Sequence, residues 1–206
     1  PLFATVSVMV ADLPWLPDFD DIGAIPDSVG YQLQPLLSLP SVPVVADLMV
    51  GPLGIVGSRA AAMACARHLL VSLYAASTDD LRLHVVAATD QREAWEWSRA
   101  LAPAAPLAMA DNEQSVVLID GMDLFPQAGF EHEDAIERRV SAVILAEAVD
   151  QLPAYCGTVL QIADAGTGIL TNHRGDMIHG TPIGISTSIA EGLATDLVPL
   201  VRQRRR

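Results

Sequence analysis

Two segments carry residues whose types and spacing fit phosphate chemistry. In LGIVGSR (53–59) an apolar run breaks at Gly57 and Ser58 into Arg59 and a long helix-like stretch, and in SVVLIDG (115–121) an apolar run ends in Asp120. A strand that turns into a helix presents free backbone amides to an anion, and an acid closing a hydrophobic strand can organise Mg²⁺ beside a nucleotide. The loop that would hold the phosphate is missing. A P-loop reads G-x-x-x-x-G-K-[ST], because two glycines let the amides curl around the phosphates and the lysine reaches their oxygens. Five residues beyond Gly51, Gly54 and Gly57 stand Val56, Arg59 and Ala62, so no register fits, and Gly121 stands where a second carboxylate would orient water.

The expectation is a vestigial site of Gly57, Ser58, Arg59 and Asp120 that binds no cofactor and no metal and contains no catalytic residue. Each residue keeps a simpler role beside the vestigial one. Arg59 lies in the first turn of the helix and is either an anion ligand or an ion-paired surface residue; Asp120 is either a remnant of a metal site or the cap of a strand bonded to a neighbouring loop.

Other groupings are weaker. DFDD (18–21) offers oxygen ligands at close spacing but lacks the glycine turn of an EF-hand, and reads as a solvated acidic loop. His132 with Glu133 and Asp134, and His173 with Asp176 and His179, lack a third ligand at recognisable spacing and a nucleophile. Cys65, flanked by alanines on the same apolar stretch as His68, reads as a small core residue and not as a thiolate. Trp95 and Trp97 sit two apart in DQREAWEWSRALA, so on an α-helix they point to opposite sides. At 3.6 residues per turn Ala94, Trp97 and Leu101 share the core face. Trp95 then falls beside Arg92 and Arg99, and Trp95 with Arg99 is the expected contact to a neighbouring domain or subunit, unless Arg99 simply stacks on the indole within the chain.

Charge narrows the partners. The chain has 206 residues, 12 basic ones against 25 acids, and a net charge of −13; all the basic residues are arginine. The absence of lysine excludes Schiff-base chemistry and a P-loop lysine. Four of the 12 arginines lie in the closing RQRRR (202–206), so the body through Val201 is more acidic still and repels nucleic acid, whose binding needs several neutralising cations. The apolar runs fall short of a membrane span, the two cysteines suggest no disulfide scaffold or metal site, and a reducing cytosol is the simplest compartment. The chain opens at Pro1 without a methionine and reads as a fragment.

The elements that must position Arg59 and Asp120 alternate. FATVSVMVA, VPVVADL, LGIVG, LRLHVVAA, SVVLIDG and VSAVILAEA read as strands, the last ambiguous by periodicity. Helices are expected from about Ser58 to Tyr74, over DQREAWEWSRALA, over EDAIERR (133–139) and over STSIAEGLATDLVPLV, with Ser186 or Ser188 as N-cap. This alternation predicts a parallel sheet covered on both faces, with LGIVG, LRLHVVAA and SVVLIDG central and Cys65 beneath them. GTVLQIAD and GILTNHRGDMIHG predict an antiparallel edge near the C-terminus. The division is an N-terminal extension over 1–41 wrapping the core, an α/β domain over 42–201, and a basic tail or linker over 202–206.

The run GPLGIVGSRAAAMACARHLLVSLYAASTDDLRLHVVA, followed by AWEWSRALAP, VVLIDG, LPAYCGTVLQI and GTPIGISTSIAEGLATDLVPL, resembles the module that precedes the first ATPase domain in FtsK/SpoIIIE-type proteins of actinobacteria, including the type VII secretion ATPase EccC and FHA-containing relatives. The likeness covers about residues 42–201. It implies a P-loop-NTPase-like, three-layer α/β fold and a degenerate, non-catalytic module that couples the working ATPase domains of a translocase or secretion motor. ATP and Mg²⁺ would then belong to the parent's other domains. It further implies neighbouring ATPase domains or subunits as partners, a cytoplasmic position in a membrane-associated protein, oligomerisation through the parent, and neither direct nucleic-acid binding nor membrane insertion by this segment. Two alternatives stand beside it: a domain that binds or slowly hydrolyses a nucleotide through Arg59 and Asp120 in a rearranged site, and a free-standing protein–protein adaptor.

Overall fold

The computed structural model describes residues 5–14, 38–76, 81–101, 114–121, 124, 140–163 and 165–204. The segments DFDD (18–21) and EDAIERR (133–139), together with His132, lie outside the described residues. The apolar runs form β1 (Thr5–Pro14), β2 (Ser38–Asp47), β3 (Leu53–Val56), β4 (Leu81–Ala87), β5 (Gln114–Asp120), β6 (Val140–Ala146), β7 (Thr158–Ile162), β8 (Gly168–Thr171) and β9 (Met177–Pro182). Among them run α1 (Arg59–Ala76), a 3₁₀ helix (Thr89–Ala100) and α2 (Thr187–Arg204). All the described strands join one mixed sheet in the order β2-β1-β9-β8-β7-β3-β6-β5-β4.

The half from β7 to β4 is parallel. Its strands alternate strictly. Val116 and Leu118 face the side that α1 covers, while Val117 and Ile119 face the other, where Leu124, Leu152 and Cys156 pack. Burial on both faces is why β3 and β6 read as unbroken apolar runs. LGIVG and SVVLIDG are interior strands, as expected, but LRLHVVAA is not: β4 ends the order, paired among the described residues with β5 alone, and its Arg82 is exposed. The central place belongs to β6, the segment whose periodicity is ambiguous, which lies between β3 and β5. A completely buried strand has no polar face to reveal its period, whereas β4 is apolar for a strand at the margin.

The antiparallel hairpin of β8 and β9 forms as expected but is not an edge. β1 pairs with β9, and β2 with β1, so the N-terminal strands extend the sheet outward. The division drawn at residue 42 falls inside β2 (Ser38–Asp47).

α1 buries Ala62, Met63, Cys65, Ala66, Leu69, Leu70, Val71, Leu73 and Tyr74 and packs on β1, β3, β6 and α2. α2 starts at Thr187 with Ser186 as its N-cap, the Ser186 hydroxyl accepting from the Ile189 amide at 3.3 Å. No helix among the described residues is long and apolar enough to cross a membrane.

Two titrating groups in α1 make the packing measurable. His68 is half-buried, and its Nε2 donates to the Ser7 carbonyl at 3.2 Å, tying α1 to β1. Burial lowers its pKa below 6.5, with the Ser7 bond opposing. The unfolded chain therefore takes up the proton first, so stability present above pH 6.5 is lost as pH falls through that value toward the folded pKa. Urea midpoints should drop less between pH 7.5 and 5.5 in His68→Gln than in the wild type; parallel pH dependence in the two proteins would contradict this. Cys65 and Cys156 are both pushed up to about 11 by burial. Alkylation at pH 8 is accordingly expected to be slow at both thiols in the folded chain and fast in urea, because the thiolate is the reactive form.

Candidate functional site

β3 and β5 run parallel with β6 between them, so Val56 and Asp120 end on the same rim of the sheet. That carboxyl rim is where open α/β sheets place ligands. At Gly57 the chain leaves the sheet: its amide bonds to the Ala146 carbonyl at 3.3 Å, and a Cβ there would lie 2.9 Å from the Ile162 carbonyl oxygen. Only a glycine lets the backbone pass so closely. The Ser58 carbonyl then accepts the Ala62 amide at 3.0 Å, the first bond of α1, and Arg59 projects from the opening turn.

Asp120 continues the face of Val116 and Leu118, toward the helices, and is 1 % exposed. A buried carboxylate is tolerated only when its oxygens are paired. Arg59 meets it with a two-pronged fork, Nη1 donating to Oδ1 at 2.7 Å and Nη2 to Oδ2 at 2.8 Å. The Trp95 indole Nε1 donates a further bond to Oδ2 at 2.7 Å. Arg59 Nη2 also donates to Gln91 Oε1 at 2.5 Å, and Gln91 Nε2 to Asp90 at 2.9 Å. Charged, bidentate bonds of this kind are among the stronger ones in proteins. The Asp120 hydrogen bond raises the Arg59 pKa, overcoming partial burial. The Asp120 backbone carbonyl accepts the Ala88 amide at 3.1 Å, and the Ala88 carbonyl the Gln91 amide at 2.8 Å, so the end of β5 also anchors the start of the 3₁₀ helix.

Of the residues expected from spacing, Arg59 and Asp120 bond directly, and Gly57 and Ser58 form the turn that leads from β3 into Arg59. Trp95 joins them, contrary to expectation. It is 4 % exposed and bonded to Asp120, so it is no exposed anchor for a partner. Arg99 is solvent-facing and ion-paired with Glu96 at 2.5 Å. The physical reason is helical period. Thr89–Ala100 is a 3₁₀ helix with three residues per turn, which lines up Trp95, Ser98 and Leu101, all buried, where a 3.6 period lines up Ala94, Trp97 and Leu101. Ala94 is exposed and Trp97 only partly buried. The Ser98 hydroxyl donates to the Trp95 carbonyl at 2.7 Å within the same turn. Gln91 and Trp95 are the site residues that α-helical periodicity misses; reading the segment at a period of three finds Trp95.

His173 and Asp176 lie in the β8–β9 turn and His179 in β9, and Asn172 holds Asp176 through bonds of 3.0 Å to its carboxylate and its amide. Among the described residues no group of three or more His, Cys, Asp and Glu side chains could hold a metal ion.

No protein-family model matches the sequence, and no curated protein is significantly similar to it. Similarity appears in three dimensions. EssC ATPases 2 and 3 from Geobacillus thermodenitrificans align over 97 % of this chain with a TM-score of 0.61 at 10 % identity, and the chain spans 50 % of the length of that solved chain. The cytoplasmic domain of the Thermomonospora curvata type VII secretion ATPase EccC aligns over 98 % of this chain and 31 % of its own length, with a TM-score of 0.54 at 11 % identity. The pCW3 conjugation coupling protein TcpA, in its monomer form with ATPγS, aligns over 81 % of this chain and 68 % of its own length, with a TM-score of 0.51 at 9 % identity. The chain shares the α/β fold of these EssC and EccC ATPase structures and of the TcpA coupling protein.

Proposed function

We propose that this chain is a non-catalytic, P-loop-like module that couples neighbouring ATPase domains or subunits of an FtsK/SpoIIIE-like, EccC-like motor. The observation that carries the proposal is the clamp of Arg59 on Asp120. The acid placed to organise Mg²⁺ already has both oxygens engaged by Arg59 and Trp95, in a pocket that leaves it 1 % exposed. Mg²⁺ demands near-octahedral oxygen ligation and keeps several waters, for which this carboxylate has no room. With no lysine in the chain and no second loop glycine at the P-loop spacing, the residues present do not fit a magnesium nucleotide. The guanidinium fills the position of the missing cation and holds the rim of the sheet in one arrangement. A phosphate-release assay checks the reading. The purified chain with Mg²⁺ and ATP should release no phosphate above a protein-free blank, whereas turnover abolished by both Arg59→Ala and Asp120→Ala would favour a rearranged catalytic site.

A further inference from the structure

Away from the Arg59 clamp, the 3₁₀ helix and α2 leave a groove of 460 Å³ between them. Its apolar wall is built from Trp97, Ala194, Val198 and Pro199, and Glu96 and Glu191 lie along its lining, which contains no basic side chain. Glu96 is held by Arg99 of its own helix. The exposed Glu191 carboxylate has no ion-pair partner among the described residues. Pro199 adds a third acceptor. A proline has no amide hydrogen, so the Thr195 carbonyl, one turn back and also lining the groove, loses its usual i+4 donor. The groove thus combines an indole with a carboxylate that has no ion-pair partner among the described residues and a backbone carbonyl whose i+4 donor the proline removes.

We infer that this groove binds an arginine side chain presented by a partner polypeptide, the guanidinium seated against Trp97 and donating to Glu191 and to the Thr195 carbonyl. The charge of the chain selects a cationic occupant, since the net charge is −13 and the groove adds acids without bases. Geometry selects arginine over lysine. Its planar fork can address two acceptors at once and stack on an aromatic ring, whereas an ammonium is a compact and strongly hydrated point charge. The inference names a partner chemistry beyond the coupling role and involves no nucleotide, so its failure leaves the Arg59–Asp120 reading untouched.

The test is fluorescence anisotropy of a short fluorescein-labelled alanine peptide carrying arginines, titrated with the full chain, beside its lysine and glutamine counterparts. The arginine peptide should bind, the lysine peptide more weakly and the glutamine peptide not at all. Glu191→Lys and Trp97→Ala should each weaken the arginine peptide about tenfold, with circular dichroism verifying that both variants remain folded. Asp150→Lys, an equal change of charge at an exposed acid between β6 and β7, should leave affinity within about twofold. Equal loss in Asp150→Lys would reduce the effect to diffuse acidity. Undiminished binding of the glutamine peptide would make the groove an apolar one, equal binding of the lysine peptide would remove the guanidinium assignment, and no binding of the arginine peptide would overturn the inference altogether.

Discussion

Arg59→Ala is expected to destabilise the fold by about 2–3 kcal/mol, read as a fall in the urea midpoint at unchanged slope. Removing one partner of a buried ion pair costs about 3–5 kcal/mol because the other charge is left desolvated and alone. Asp120 meets that condition at 2 % side-chain exposure, but Arg59 is 41 % exposed, so water enters from its side and the cost falls to the bottom of that range or just below it. Arg59→Lys should cost less than Arg59→Ala, since it keeps the charge and loses the fork. Adding Asp120→Asn to Arg59→Ala should cost less than the sum of the single changes, with a coupling of roughly 1–3 kcal/mol. Additive losses, or an Arg59→Ala cost below about 0.5 kcal/mol, would reduce the pair to an ordinary surface contact.

Trp95→Ala should be the most disruptive single change in the 3₁₀ helix, at about 3–5 kcal/mol, with Trp97→Ala clearly milder. Trp95 is almost fully buried and Trp97 only partly so. Trp95→Phe retains most of the packing and removes only the donor to Asp120, so it should cost about 1.5–3 kcal/mol, the range for a hydrogen bond to a charged group. The two rings lie 6.3 Å apart between centroids, so their fluorescence is coupled, and unfolding by circular dichroism is the cleaner readout. Equal costs for Trp95→Ala and Trp97→Ala, or a larger cost at Trp97, would mean that the segment follows the α-helical register.

What the sequence reveals here depends on how local the determinant is. The turn after β3 and the acid at the end of β5 are local patterns, and so Gly57, Ser58, Arg59 and Asp120 are recognisable from residue type and spacing alone. That Arg59 closes on Asp120 is a tertiary fact, set by the parallel register of β3, β6 and β5. Strand neighbours are equally non-local: nothing within FATVSVMVA says that β1 joins β9 and carries β2 beyond it, and nothing within LRLHVVAA says that β4 lies at the margin. Trp95 is hidden for a different reason. Three residues per turn and 3.6 residues per turn place Leu101 on the core face alike, and they disagree only on which tryptophan accompanies it. A 3₁₀ helix of 12 residues is unusually long. The α-helical period is the natural assumption, and it exchanges Trp95 for Trp97.

Calorimetric titration of the purified chain with ATP and Mg²⁺ tests the central claim most directly. With Asp120 committed to Arg59 and Trp95, no lysine, and an acidic body whose field opposes a triphosphate, no binding heat is expected up to about millimolar nucleotide, a concentration at which affinity is worth only ~4 kcal/mol. Micromolar binding that disappears in both Arg59→Ala and Asp120→Ala would contradict the account, because it would require the clamp to open and its two residues to serve as ligands.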